Sequence, residues 1–140
     1  MSYCTQSDLL ERIPEATLIK LSNDGDSASV DVSVIARAIA DADAEIDGYV
    51  GTRHQVPLSP VPDLMRKASV EMAIYHLYSR RLGAPEEWQR RYKDNVRLLK
   101  DISDGKVSLG SDDPSGTPVA RPVSYDGPER VFTRDTLKEW

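Results

Sequence analysis

IARAIADADAEIDGYVGTRHQVPLSPVPDLMRKASVEMAIYHLY, residues 35–78, decides the fold. In its first half Ile35, Ile39, Ala42, Ile46 and Tyr49 recur at three- and four-residue steps, which puts them on one stripe of a helix of period 3.6. Asp41, Asp43, Glu45 and Asp47 take intervening positions, and Ala36, Ala38, Ala40 and Ala44 fill much of the rest with the best helix former. A helix over residues 32–50 follows, capped by Asp31 or Ser33 and ~28 Å long at ~1.5 Å per residue. Gly48 and Gly51 weaken it where it should stop. Pro57, Pro60 and Pro62 then forbid continuation, because proline lacks an N–H and restricts the residue before it. Beyond this turn the chain from Leu64 to Leu82 is apolar on two sides, with Ala68, Met72, Tyr75 and Ser79 in one row and Val70, Ile74, Leu77 and Tyr78 in another. That breadth predicts a central helix buried between neighbours.

Working outward, Thr5 three residues before Asp8 reads as a capping box for a short helix whose apolar edge is Leu9, Leu10 and Ile13. Pro14 with Glu15 starts a second short helix over 16–21, and Asn23-Asp24-Gly25-Asp26 is a turn cluster. On the other side Gly83 ends the central helix. Pro85, Glu86 and Glu87 begin another, whose inward stripe is Trp88, Tyr92, Val96, Leu99 and Ile102 and whose terminator is Gly105. Its outer face sets Arg90 four before Asp94 and Arg97 four before Asp101. The fold class is therefore all-α, a small helical bundle over residues 1–109. Pro114, Gly116, Pro118, Pro122, Gly127 and Pro128 break any regular element in 110–140, which reads as an extended tail carrying Val131, Phe132, Leu137 and Trp140 as anchors.

A chain of 140 residues with 39% hydrophobic and 29% charged side chains supports one core of ordinary globular composition. No run approaches the roughly 20 apolar residues of a membrane span, and no basic-then-apolar leader opens the chain, so the expectation is a protein made and kept in the cytosol. Cys4 is the lone cysteine, which allows neither an internal disulfide nor a thiolate cluster for zinc. The net charge of −5 argues against a domain whose main affinity is for phosphates, while leaving room for a local basic patch. Arg66, Lys67, Arg80, Arg81, Arg90 and Arg91 raise that question; snorkelling and ion pairing around a buried helix account for them without DNA. The acids 41, 43, 45 and 47 resemble a calcium loop in outline, but Ile46 stands where that loop needs glycine. His54 reads as a surface histidine and His76 as a satisfied core one. No nucleophile elbow, Walker loop or dinucleotide fingerprint is present. No metal, no cofactor and no enzymatic activity are expected.

Several stretches together carry a family likeness: Tyr3-Cys4-Thr5 with Asp8-Leu9; Ala38-Ile39-Ala40-Asp41-Ala42 with Glu45-Ile46-Asp47-Gly48-Tyr49; Pro57-Leu58 with Val61-Pro62; Tyr92-Lys93, Leu98-Leu99 and Ile102 with Gly105 and Leu109; and Phe132-Thr133-Arg134-Asp135 with Leu137. The sequence resembles the Mu-like bacteriophage head-tail connector proteins, differing in its longer Pro-rich stretch between Gly110 and Pro128. The resemblance implies a helical bundle of the head-to-tail adaptor type that assembles as a homo-oligomeric ring, commonly twelvefold, in the neck of the virion. It further implies a portal protein above, a stopper or tail-terminator protein below, and DNA passing through the channel without specific binding. No membrane is involved. Within that reading, either the loop acids Asp24 and Asp26 or the helix acids Asp43 and Asp47 line the channel. The tail docks on the portal through Arg130, Val131, Phe132, Arg134, Leu137 and Trp140. The rival reading is a DNA-binding accessory protein, such as a small packaging subunit, with a helix-turn-helix in the N-terminal third.

Overall fold

The computed structural model of the chain describes residues 1–25, 28–81 and 83–110. Among these are five helices and no strand: α1 (Gln6–Leu10), α2 (Glu15–Ser22), α3 (Val32–Val50), α4 (Asp63–Arg81) and α5 (Glu86–Ser103). The all-α expectation holds. The tail expected over 110–140 lies, beyond Gly110, outside the described residues.

Each helix boundary has a local cause. At α1 the Thr5 N–H and hydroxyl both donate to Asp8 Oδ2, at 2.7 and 2.9 Å. At α3 Asp31 Oδ1 accepts from the Ser33 N–H at 3.0 Å and the Val34 N–H at 3.3 Å, so Asp31 rather than Ser33 is the cap. Those donors, the Ser33 hydroxyl first among them, hold the Asp31 carboxyl below its ordinary value. Pro62 opens α4, its carbonyl accepting from Met65 and Arg66 at 2.9 and 3.0 Å. At the far end of α5 the Lys106 N–H reaches the Asp101 carbonyl at 2.8 Å and the Gly105 N–H reaches that of Ile102 at 3.0 Å, a Schellman closure. Gly105 has φ +76°, and a Cβ there would meet the Arg53 guanidinium at 2.2 Å.

Burial follows the periodicity. On α3, Ile35, Ala38, Ile39, Ala42, Ile46 and Val50 face inward, with Tyr49 half-buried. On α5, Trp88, Leu99 and Ile102 are buried, but Asn95 goes inside where the stripe placed Val96, which is half-buried. The reason is polar: Asn95 Nδ2 donates at 2.8 Å to Oε2 of the buried Glu71. Arg91 reaches the other oxygen of Glu71 at 3.3 Å, pairs with Glu87 at 2.6 Å and lies 5.0 Å over the Trp88 ring. The central helix α4 packs against all four others. Met65, Ala68, Ser69, Val70, Met72, Ala73, Ile74 and Leu77 are buried around most of its circumference. Its apolar breadth is thus consumed inside the monomer. The long helix α3 instead leaves Ala36, Ala40, Ala44 and Gly48 exposed along one side.

These two helix-end glycines call for opposite outcomes. A Cβ at Gly48 meets nothing within 4 Å, so Gly48→Ala is expected to stabilise the fold by about 0.5–1 kcal/mol. Gly105→Ala should destabilise it by about 1 kcal/mol, since a side chain there must adopt positive φ. Urea unfolding of the two variants measures both signs, and a stabilising Gly105→Ala would contradict the closure at α5.

Candidate functional site

Tyr3 and Cys4 precede α1 and are buried, although nothing in their immediate sequence surrounds them. Long-range polar contacts hold them. The Tyr3 N–H donates to Asp43 Oδ2 at 3.0 Å, and the Ser69 hydroxyl donates to Asp43 Oδ1 at 2.6 Å. Ser69 Oγ also lies 3.1 Å from Cys4 Sγ. The Tyr3 hydroxyl donates to Asp47 and accepts from the Leu58 N–H at 3.0 Å. Four segments therefore meet here: the N-terminus, one turn of α3, the proline loop and α4. Burial pushes the Cys4 thiol up to about 11, which keeps it protonated and unreactive near neutrality. Burial and the Asp47 carboxylate push the Tyr3 hydroxyl up to about 12. Burial likewise raises the Asp43 carboxyl, against the pull of its two donors. The arrangement pins the N-terminus.

A second cluster sits where α3, α4 and α5 adjoin. The Tyr92 hydroxyl donates to Glu45 Oε1 at 2.7 Å, and burial followed by this bond raises its pKa above the ordinary tyrosine value. Tyr75 stacks on Tyr92 with centroids 4.1 Å apart, and His76 stands edge-on to both at 5.8 and 5.9 Å. His76 Nε2 is 3.4 Å from Glu45 Oε2, a distance that becomes an ion pair when the ring is protonated.

A third cluster closes the end of α2. Arg80 donates to the Leu21 carbonyl at 3.0 Å and to Asp24, while Arg81 donates to the carbonyls of Asn23 and, at 3.4 Å, Lys20. Arg81 also lies 3.7 Å from Asp24. Two cations so placed satisfy carbonyls at the negative end of a helix. Beside them a cleft of about 480 Å³ opens between α3 and α4, lined by Asp24, Arg37, Asp41, His76 and Arg80 among others.

Of the acids offered for a channel wall, Asp24 and the helix pair Asp43 and Asp47 lie in separate clusters. Asp24 is exposed but paired with Arg80 and Arg81. Asp47 is half-buried and holds the Tyr3 hydroxyl. Asp43, part of the helix alternative, is 7% exposed and lies inside the bundle. Helix geometry explains the burial, because position 43 lies four after Ile39 and three before Ile46, on the packing stripe itself. Asp26 and the tail residues Arg130, Val131, Phe132, Arg134, Leu137 and Trp140 lie outside the described residues. No group of three or more His, Cys, Asp or Glu among the described residues is arranged to hold a metal. No described helix is long and apolar enough to cross a membrane.

With the body of the molecule built in this way, its relatives become informative. A family model described as Bacteriophage Mu, Gp36 matches residues 3–124. The chain belongs to the Mu Gp36 family. The Gp36 match starts at Tyr3, the residue that pins the N-terminus, and runs through all five helices. Among similar proteins, Gene product J of Escherichia phage Mu is 32% identical over 140 residues, covering 96% of each chain. The Mu-like prophage FluMu protein gp36 of Haemophilus influenzae is 28% identical over 137 residues, covering 97% of this chain and 96% of its own. The likeness read from the sequence to a Mu-like phage family is thereby confirmed at the level of the Gp36 family.

Proposed function

We propose that this chain is a structural head-to-tail adaptor of a Mu-like tailed phage or prophage, forming a ring below the portal through which DNA passes. Membership of the Mu Gp36 family across nearly the whole length carries the reading. The fold is consistent with it. The buried Cys4 thiol and the buried Asp43 carboxylate are both tied into structural contacts. A ring subunit needs two lateral faces outside its own core. The central helix α4 is covered by its neighbours, so the exposed small-residue side of α3 is the one that suits that purpose. Residues 111–140, with their aromatic and basic side chains near the end, are the segment assigned to the portal.

Native mass spectrometry is the direct test. The chain alone should be a monomer or weak oligomer, and a ring should appear on portal complexes. Deleting residues 111–140 should leave thermal unfolding of the bundle nearly unchanged and abolish attachment to portal-bearing heads. A stable dimer with no ring on portals counts against the adaptor reading. A truncated protein that melts far earlier assigns the tail to the bundle instead.

A further inference from the structure

The outward side of α5 carries Arg90, Lys93, Arg97 and Lys100, at steps of three, four and three residues. At about 100° per residue these positions fall within about 80° of arc. The arc lies opposite the buried Trp88, Asn95, Leu99 and Ile102. All four cations are exposed. The row is about 15 Å long at about 1.5 Å per residue.

What distinguishes these four is that cations outside any ion pair stand in one row; Arg12, Lys20 and Lys67 are likewise outside the ion pairs but do not share one helix. Elsewhere on α4 and α5, Arg66 pairs with Asp63, Arg80 and Arg81 with Asp24, and Arg91 with Glu71 and Glu87. Among the described residues no acid lies within ion-pair distance of Arg90, Lys93, Arg97 or Lys100. The i,i+4 pairs expected with Asp94 and Asp101 do not form. Asp101 is held by Lys106 at 3.5 Å instead.

We infer that this row is a docking surface for the phosphate backbone of duplex DNA. An acidic protein partner would leave the contact without an anchor on this helix: among the described residues the exposed large hydrophobics are Met1, Leu10, Val32 and Leu64, and none is on α5. Protein interfaces draw their energy from apolar and aromatic centres and are depleted in lysine, whereas a phosphate backbone asks only for charge in a line. About 15 Å of duplex axis presents about nine phosphates, more than enough to engage four cations. Such a contact is weak and blind to sequence, so a duplex can slide along it, which agrees with a chain of net charge −5. The inference rests on α5 alone and does not require the ring.

Fluorescence anisotropy of a labelled duplex with the full chain tests it. Binding at 50 mM salt should fall on the order of 10²-fold by 200 mM, a log–log slope no steeper than about −3.6 for four phosphates. Changing Arg90, Lys93, Arg97 and Lys100 together to Gln should weaken binding at least tenfold at 50 mM salt and flatten the slope. The control changes Arg12, Lys20, Arg66 and Lys67 to Gln, removing the same charge from other exposed positions. It should stay within about threefold of the wild type. Circular dichroism confirms that both variants are folded. Equal loss in the two variants would reduce the effect to net charge and overturn the inference. So would no binding of the wild type at 50 mM salt, which makes the row a solvated face, or binding of polyglutamate in preference to duplex, which makes the partner an acidic protein.

Discussion

Ile74→Ala is expected to lower the unfolding free energy by about 4 kcal/mol, the largest effect of any single truncation considered. Ile74 is fully buried on α4, flanked by the equally buried Ala73 and Met72, and α4 touches every other helix. The surroundings of such a position are held from several directions and cannot collapse into the space left behind, so the cavity cost adds to the lost transfer energy. For a chain of this size the melting temperature should fall by roughly 10–20 °C. Leu64→Ala, at the exposed start of the same helix, should change stability by no more than about 0.5 kcal/mol. Thermal and urea unfolding of the pair provide the check. A loss under 1 kcal/mol at Ile74 would mean that α4 is not the centre of the bundle.

The second large effect is at Asp43. Removing its carboxylate by Asp43→Ala strands the Ser69 hydroxyl and the Tyr3 N–H, each a buried donor worth about 1–3 kcal/mol when left without an acceptor. Relief of a desolvated charge offsets part of this, and a net loss of about 3 kcal/mol is expected. The pH dependence has a definite sign. The Asp43 carboxyl is raised in the folded state above its ordinary value of 3.8, so the folded protein binds this proton more tightly than the unfolded chain. The stability gained from that proton is fully present below the unfolded value and is lost as pH rises through the folded one. Compared with Asp43→Asn, which does not titrate, the wild type should therefore gain stability as pH is lowered from 7 toward 4. Urea midpoints of the two proteins across that range measure the difference. A gap moving the other way would show that the donors outweigh burial at this carboxylate.

Helix limits were legible because their causes are local. Residues 32–50 were predicted as helix and Val32–Val50 is helical, since the Asp31 cap and the break beyond Gly51 lie within a few residues of the ends they set. Pro85 and Gly105 bracket α5 for the same reason. The interior polar residues were not legible. Asn95 is buried because Glu71, 24 positions earlier, is buried beside it, and Asp43 is buried because Tyr3 and Ser69, 40 and 26 positions away, supply its donors. The sequence reading puts Asp43 at an intervening position on the strength of its charge, although it lies four after Ile39 and three before Ile46. Of the basic cluster, snorkelling and ion pairing correctly described Arg80, Arg81 and Arg91, whereas the row on α5 only stands out once neither Asp94 nor Asp101 is seen to pair with it.

The pin at Tyr3 also fixes an order of events in time. Its partners Asp43, Asp47 and Leu58, and the Ser69 that completes the network, are all made after it. At roughly 5–20 residues per second, Ser69 follows Tyr3 out of the ribosome's catalytic centre by about 3 to 13 s. For the first 40 residues of that interval Tyr3 has none of these partners, and Asp43, Asp47, Leu58 and Ser69 then arrive in turn. The Tyr3 network can therefore close before α5, which is made later still, packs onto the bundle.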